Sequence, residues 1–281
     1  MEKTLVENWM TAELITVAPE THLNDARRIM DAEKIRVLPV MKNNVLKGIV
    51  TRRDLLRADL STAQLENRQS DKNLKDETVS RVMSPEVVQI DSQSPVAKAA
   101  RVMLENKIES LPVVKNHKEI VGIITSSDLF RVIEEELPKM EGKSLVRHYM
   151  SYEPVTITSD QNLLEVHRIM GWKRIRVLPV IDESDELVGI ITRTDVMSAD
   201  PSRLYNRGNQ KESLKVQLQS VQDTMTANPI TIRENAPITE AARLMRTHKF
   251  HSLPVIDEHG KLIGIITDSD LFRLIVMKFF D

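Results

Sequence analysis

The sequence predicts an α/β (α+β) fold of four β-α-β-β-α repeats joined two by two. Three observations lead there: a fourfold set of landmarks, a longer period laid over it, and a switch of hydrophobic periodicity inside each unit. The landmark is Leu-Pro-Val, at Leu38–Val40, Leu111–Val113, Leu178–Val180 and Leu253–Val255, spaced by 73, 67 and 75 residues. Met10, Met83, Met150 and Met225 lead the units, and Met30, Met103, Met170 and Met245 follow twenty residues later. All eight methionines are expected in the core. Gly48, Gly122, Gly189 and Gly264 come after each proline, and each unit closes with Thr-x-x-Asp.

The longer period pairs units one and three, which share Ile35–Val40 with Ile175–Val180 as one hexapeptide at an offset of 140. Units two and four share Ser127–Arg131 with Ser269–Arg273, offset 142. The polar linkers follow suit, Ala58–Thr78 carrying Asn67-Arg68 and Ser198–Ser220 carrying Asn206-Arg207. The acidic run Glu134–Glu136 meets Pro138, which stops a helix and splits the chain into halves. The expected boundaries are 1–60, 61–137, 138–200 and 201–281.

Within unit one, Leu14–Val17 is a short β-branched run, and Leu23, Ala26, Ile29 and Met30 line one helical face. Arg36–Val40 and Leu46–Val50 read as strands, and Arg52–Ala58 as the start of a last helix. Asn162 with Glu165 marks one helix start, while Ser94-Pro95 and Ala236-Pro237 place proline at the first helical position of two others. About fifty residues of this kind bury too little apolar surface to stand alone, so the sheets pack in pairs.

Composition narrows the function classes. Of 281 residues, 41% are hydrophobic and 28% charged, ordinary globular values. The net charge of -2 provides no whole-chain basic field, so nucleic acid is not an expected partner. The absence of cysteine removes disulfides, thiolate metal sites and cysteine nucleophiles. No apolar run suggests a signal peptide or a membrane span, which makes a cytoplasmic protein with no membrane association the expectation.

The leading Met, the helix ending in Met, Leu-Pro-Val, Gly-Ile-Ile/Val-Thr and the closing Asp-Leu or Asp-Val together resemble the CBS domain family. The likeness covers residues 5 to 58, 79 to 133, 146 to 199 and 221 to 275. It implies two tandem Bateman modules, each a pseudo-twofold pair of CBS units with ligand clefts between them. Four units in one chain resemble the disc-like arrangement of the γ subunit of AMP-activated protein kinase. The family binds adenosine-containing ligands and regulates other proteins, so the resemblance implies an energy-sensing regulator of an unknown partner, with an adenine nucleotide (AMP, ADP or ATP) as regulatory ligand and no catalytic cofactor. A homodimer is expected. S-adenosylmethionine, a cyclic dinucleotide or a magnesium-nucleotide remain alternatives, as does a scaffold or dimerisation module with vestigial sites.

By the resemblance, Asp54, Asp128, Asp195 and Asp270 receive the ribose hydroxyls, while Thr51, Thr125, Thr192 and Thr267 lie near the sugar or phosphate. A carboxylate only accepts hydrogen bonds, so it suits a cis-diol. The same spacing is also close to a helix capping box, and the two roles can coexist. Arg36, Arg53, Arg176, Arg193 and His251 are candidates for phosphate, against a reading of them as solvated surface charges. The adenine pocket is expected near Val17, Val88, Ile157 and Ile232, beside Pro39, Pro112, Pro179 and Pro254, where plain core packing is the competing role for any one aliphatic side chain.

Other signals lead nowhere. Gly142-Lys143-Ser144 lacks the earlier glycine of a P-loop, since Leu137 stands there. His248 and His251 straddle a helix-to-strand change, so no metal site is expected. No nucleophile elbow, dinucleotide loop or metalloprotease helix occurs, so the protein is not expected to be an enzyme. The apolar tail Leu271–Phe280 is expected to pack on its own module or across a dimer, with docking to another protein as the alternative.

Overall fold

A computed structural model describes residues 4–56, 58, 77–116, 119–140, 142–199 and 218–279. Asn67-Arg68, Asn206-Arg207 and Phe280 lie outside the described residues. The chain forms two compact units. Unit 1 holds the described residues up to Leu129 together with those from Phe272 onward, and unit 2 holds Phe130–Leu271.

Repeat 1 runs α1 (Leu23–Ala32), β1 (Val37–Lys42), β2 (Val45–Thr51) and α2 (residues 52–56). Repeat 2 runs β3 (Ile90–Asp91), α3 (Val96–Asn106), β4 (Ser110–Lys115), β5 (Glu119–Thr125) and α4 (Ser126–Glu136). Repeat 3 comprises β6 (Ser151–Tyr152), β7 (Ile157–Thr158), α5 (Leu163–Lys173), β8 (Val177–Ile181), β9 (Leu187–Thr192) and α6 (Arg193–Ala199). Repeat 4 comprises β10 (Thr226–Ala227), β11 (Ile232–Arg233), α7 (Ile238–His248), β12 (Ser252–Ile256), β13 (Leu262–Thr267) and α8 (Asp268–Lys278).

The β-α-β-β-α order holds in repeat 2, repeats 3 and 4 add a two-residue strand before it, and the first strand is much shorter than expected throughout. In repeat 1 only Val17 of the Leu14–Val17 run joins the sheet, as a parallel bridge to Val40. Helix starts agree where side chains cap: Asn162 Oδ1 accepts from the Glu165 N–H at 3.1 Å. Pro95 and Pro237 sit one residue earlier than expected, in extended backbone at the cap, with the helices starting at Val96 and Ile238.

The repeats of each unit are interlocked by exchange of their leading segments. In unit 2, β10 of repeat 4 pairs with β9 of repeat 3, and β6 of repeat 3 pairs with β13 of repeat 4. Unit 1 makes the same exchange through single antiparallel bridges, Thr11 with Ile123 and Ser84 with Ile49. This explains the repeated Met and Gly. A Cβ on Gly264 would fall 2.9 Å from Met150 Sδ and 2.9 Å from the Ser151 carbonyl oxygen, and one on Gly122 would fall 2.6 Å from Met10 Sδ. Each leading methionine thus packs on the glycine of the other repeat, which must lack a side chain to let it close.

The methionines accordingly divide into two sets. Met30, Met103, Met170 and Met245 are buried in the cores, whereas Met10, Met83 and Met225 are half-buried at the exchange and Met150 is buried there. Leu271, Phe272, Leu274 and Ile275 of the apolar tail are buried within this chain, whereas Met277 stands 70% exposed. Each such Leu or Phe contributes roughly 1.5–3 kcal/mol on burial. Among the described residues no helix is long and apolar enough to cross a membrane.

Candidate functional site

Every Thr-x-x-Asp lies where a hairpin strand turns directly into a helix. In repeat 1 the Thr51 N–H and hydroxyl both donate to Asp54 Oδ2, at 2.9 and 2.6 Å, and the Asp54 N–H returns a bond to Thr51 Oγ1 at 3.3 Å. Repeat 3 is the same, with 2.8 and 2.7 Å from Thr192 to Asp195 Oδ2 and 3.3 Å back. Thr125 to Asp128 Oδ2 (2.8 and 2.8 Å) and Thr267 to Asp270 Oδ2 (2.9 and 2.7 Å) complete the set. The reciprocal cap is therefore closed in repeats 1 and 3, and its carboxylate half is present in repeats 2 and 4 as well.

This geometry assigns the two residues different work. The threonine hydroxyl spends its only hydrogen on the carboxylate, so it orients the aspartate and has no proton left for a sugar. Oδ2 already accepts two bonds. Among the described residues, all bonds to Asp54 and Asp195 fall on Oδ2 and leave Oδ1 open. Asp54, Asp128 and Asp195 are half-buried and Asp270 is 6% exposed.

A backbone bond brings each helix start beside the entrance to the Leu-Pro-Val strand: Arg52 N–H to Arg36 O at 2.8 Å, Ser126 to Glu109 at 2.9 Å, Arg193 to Arg176 at 2.8 Å and Asp268 to His251 at 2.9 Å. Among the described residues that strand has no strand partner on one side at its beginning. Its parallel ladder with the first strand starts one residue after the proline, at Val40, Val113, Val180 and Val255. Proline has no N–H, so the uncovered edge leaves no donor orphaned there. Pro39, Pro112, Pro179 and Pro254 are themselves buried.

Val17, Ile157 and Ile232 are 7%, 2% and 3% exposed and belong to the core. Val88 is two residues out of register with them. Ile90, seven residues after Met83 as Val17 is after Met10, is their counterpart and is 3% exposed. Val88 instead matches Ile15, Val155 and Ile230, and Val88, Val155 and Ile230 stand 38%, 36% and 37% exposed just before the ladder begins. These are the apolar side chains next to the open edge, and counting from the leading methionine finds them.

The basic candidates differ in their surroundings. Arg52 is drawn to Asp31 on α1, 2.9 Å away, and Arg193 occupies the same place in repeat 3, whereas Arg53 corresponds to Thr194. Arg36, Arg53, Arg176 and Arg193 are exposed and His251 is half-buried, 3.5 Å from the Asp268 carboxylate. His248 stacks on Phe250 at 5.3 Å between ring centres.

A family model described as "CBS domain" matches residues 6–61, 79–135, 146–202 and 221–277. The uncharacterized protein MJ1225 of Methanocaldococcus jannaschii is 28% identical over 272 residues, covering 93% of this chain and 95% of its own length. A CBS domain-containing protein of Dictyostelium discoideum is 38% identical over 134 residues, 48% of this chain and 92% of its own. The crystal structure of MJ1225, presented as a proposed archaeal homolog of g-AMPK, superimposes with a TM-score of 0.71 at 24% identity, covering 96% of this chain and 99% of that one.

Proposed function

We propose, on the premise that this chain belongs to the CBS domain family and carries four copies of its unit, that it is a regulatory protein which binds an adenine nucleotide and passes the occupancy on to a partner protein. The observation that carries this reading is the half-used carboxylate. Asp54 and Asp195 are fixed by their threonines through Oδ2 and keep Oδ1 for a ligand, beside the open edge of a Leu-Pro-Val strand. One carboxylate oxygen has lone pairs for both hydroxyls of a ribose cis-diol, and charge-assisted bonds of this kind contribute about 1.5–3 kcal/mol each.

The flat base lies against Ile15, Val88, Val155 or Ile230 and the buried proline, in a crevice that leaves the backbone of the strand edge to read the ring. Arg36, Arg53, Arg176 and His251 provide for the phosphates. Arg193 follows Arg52 in register, and Arg52 pairs with Asp31 on the preceding helix in place of a ligand, so we leave Arg193 out of this set. Ligand shifts the protein toward whichever arrangement binds it better, and only that difference in affinity reaches the partner. A cytoplasmic homodimer is the form proposed.

Calorimetric titration with AMP, ADP, ATP and S-adenosylmethionine tests the reading. A nucleotide at a hundred times its dissociation constant adds about 2.7 kcal/mol of stability. Asp54→Asn with Asp195→Asn keeps an oxygen for the cap but removes the charge, and should weaken binding about tenfold or more while the melting temperature holds. Unchanged affinity in that double variant, or no response to any of the four, refutes the proposal.

A further inference from the structure

Repeat 3 departs from its three siblings at the end of its helix. Trp172 stands where the others have Ala32, Glu105 and Thr247, and it is 81% exposed. The fold therefore makes no demand for a tryptophan at that position. Its neighbour Gly171 stands where repeat 1 has Asp31, and a Cβ there would meet nothing within 4 Å.

The exchange of Asp31 for Gly171 has an electrostatic consequence. In repeat 1 the carboxylate of Asp31 neutralises Arg52 at 2.9 Å. In repeat 3, α6 packs against α5, but the arginine at the equivalent place, Arg193, is exposed, and among the described residues its guanidinium meets no carboxylate. Lys173 and Arg174 are exposed alongside, with Lys173 Nζ 4.9 Å from the centre of the Trp172 ring. Glu165, the acidic residue of α5, lies in the first turn at the other end of the helix and is tied to Arg168 at 2.8 Å. A large exposed ring, open space beside Gly171 and exposed cations with no carboxylate partner among the described residues are thus found at the end of α5 and the start of α6.

We propose that this end of α5, with the start of α6, is a docking surface for an acidic peptide segment of a partner protein. A carboxylate of the partner takes the place on Arg193 that Asp31 takes on Arg52, and an apolar side chain of the partner covers Trp172 beside Gly171. Guanidinium–carboxylate pairs hold two parallel bonds, which fixes the orientation of the segment. The surface is independent of the nucleotide reading, and it is tested with no nucleotide present.

The probe is a capped octapeptide alternating Glu and Leu, with a Lys-for-Glu counterpart and phosphatidylserine vesicles as comparisons. Trp9 is buried at 7% exposure, so a change in tryptophan emission on binding reports Trp172. The acidic peptide should bind saturably with a blue shift, and the basic peptide should not. Gly171→Asp restores the carboxylate within the chain and should weaken the peptide about tenfold with the fold intact, as should Arg193→Gln. Equal binding of both peptides, unchanged affinity in both variants, or a response to vesicles alone overturns the proposal.

Discussion

Arg246 grips Glu134 at two points across 112 residues of chain, Nε to Oε1 at 2.7 Å and Nη2 to Oε2 at 2.8 Å. Both residues belong to unit 2, one on α7 and the other on α4, and the carboxylate beside it holds the Arg246 guanidinium above its ordinary pKa. With side-chain exposures of 39% and 17% the pair is part-screened by water, so its contribution is near that of a well-formed surface pair. Glu134→Gln should cost about 1 kcal/mol, and a double-mutant cycle with Arg246→Gln measured by urea unfolding should recover a coupling of that size. Strict additivity of the two changes would refute it.

The exchange of leading segments predicts two different outcomes for two similar substitutions. At Gly189 the nearest atoms all belong to the Met225 side chain, so Gly189→Ala should cost about 1–3 kcal/mol and recover part of it when Met225→Ala is added. At Gly264 the Ser151 carbonyl oxygen blocks the site as well, so Met150→Ala should not rescue Gly264→Ala. Equal rescue in both pairs, read by thermal unfolding, would be inconsistent with this packing.

Capping and ligand binding can be separated at Asp195. Asp195→Asn leaves an acceptor for Thr192 and should change stability little, whereas Asp195→Ala should lose about 1 kcal/mol by orphaning the cap donors. Both should weaken nucleotide binding. A variant pair whose affinities track their stabilities would place Asp195 in the cap alone.

Lys107 ends α3 in the left-handed region at φ 54°, as Lys34, Arg174 and Lys249 end their helices. Glycine takes that conformation without a Cβ penalty. Lys107→Gly should therefore raise stability by up to about 1 kcal/mol. A loss of stability on chemical unfolding would mean that the side chain, and not the backbone, decides the position.

In the turn after β12, Asp257 Oδ1 accepts the N–H groups of Lys261 and His259, both at 2.9 Å. The Lys261 N–H first, then that of His259, hold its carboxyl below the usual value. A depressed folded pKa stabilises the turn at pH above the unfolded value and loses that contribution as pH falls through the folded one. An NMR titration should find the Asp257 midpoint below that of aspartate in a short peptide; a midpoint at or above it contradicts the bonding.

The repeat count, the strand–helix order and the Thr-x-x-Asp geometry were legible because each rests on local spacing that four copies amplify. The exchanged strands were not. Ser151–Tyr152 and Thr226–Ala227 are two residues long, too short for any alternation, and what makes them strands is an edge supplied by another repeat. Pro95 and Pro237 misled by one position because a proline fits the cap and the first helical turn alike. Val88 was grouped with Val17, Ile157 and Ile232 because two aliphatic residues in period two look the same until one is counted from Met83, which puts Ile90 in their register. The division of labour between the carboxylate oxygens lies below the resolution of a sequence pattern altogether.

The last helix has a bearing on synthesis. Unit 1 ends at Leu129 and resumes at Phe272, so the 142 residues of Phe130–Leu271 must leave the ribosome before the first unit receives its final helical piece. At bacterial to eukaryotic translation speeds that is a wait of roughly 7–30 s. During it the nascent first half lacks that piece, whose Phe272 and Ile275 are buried in the finished chain, so its folding is completed only after synthesis of the second half.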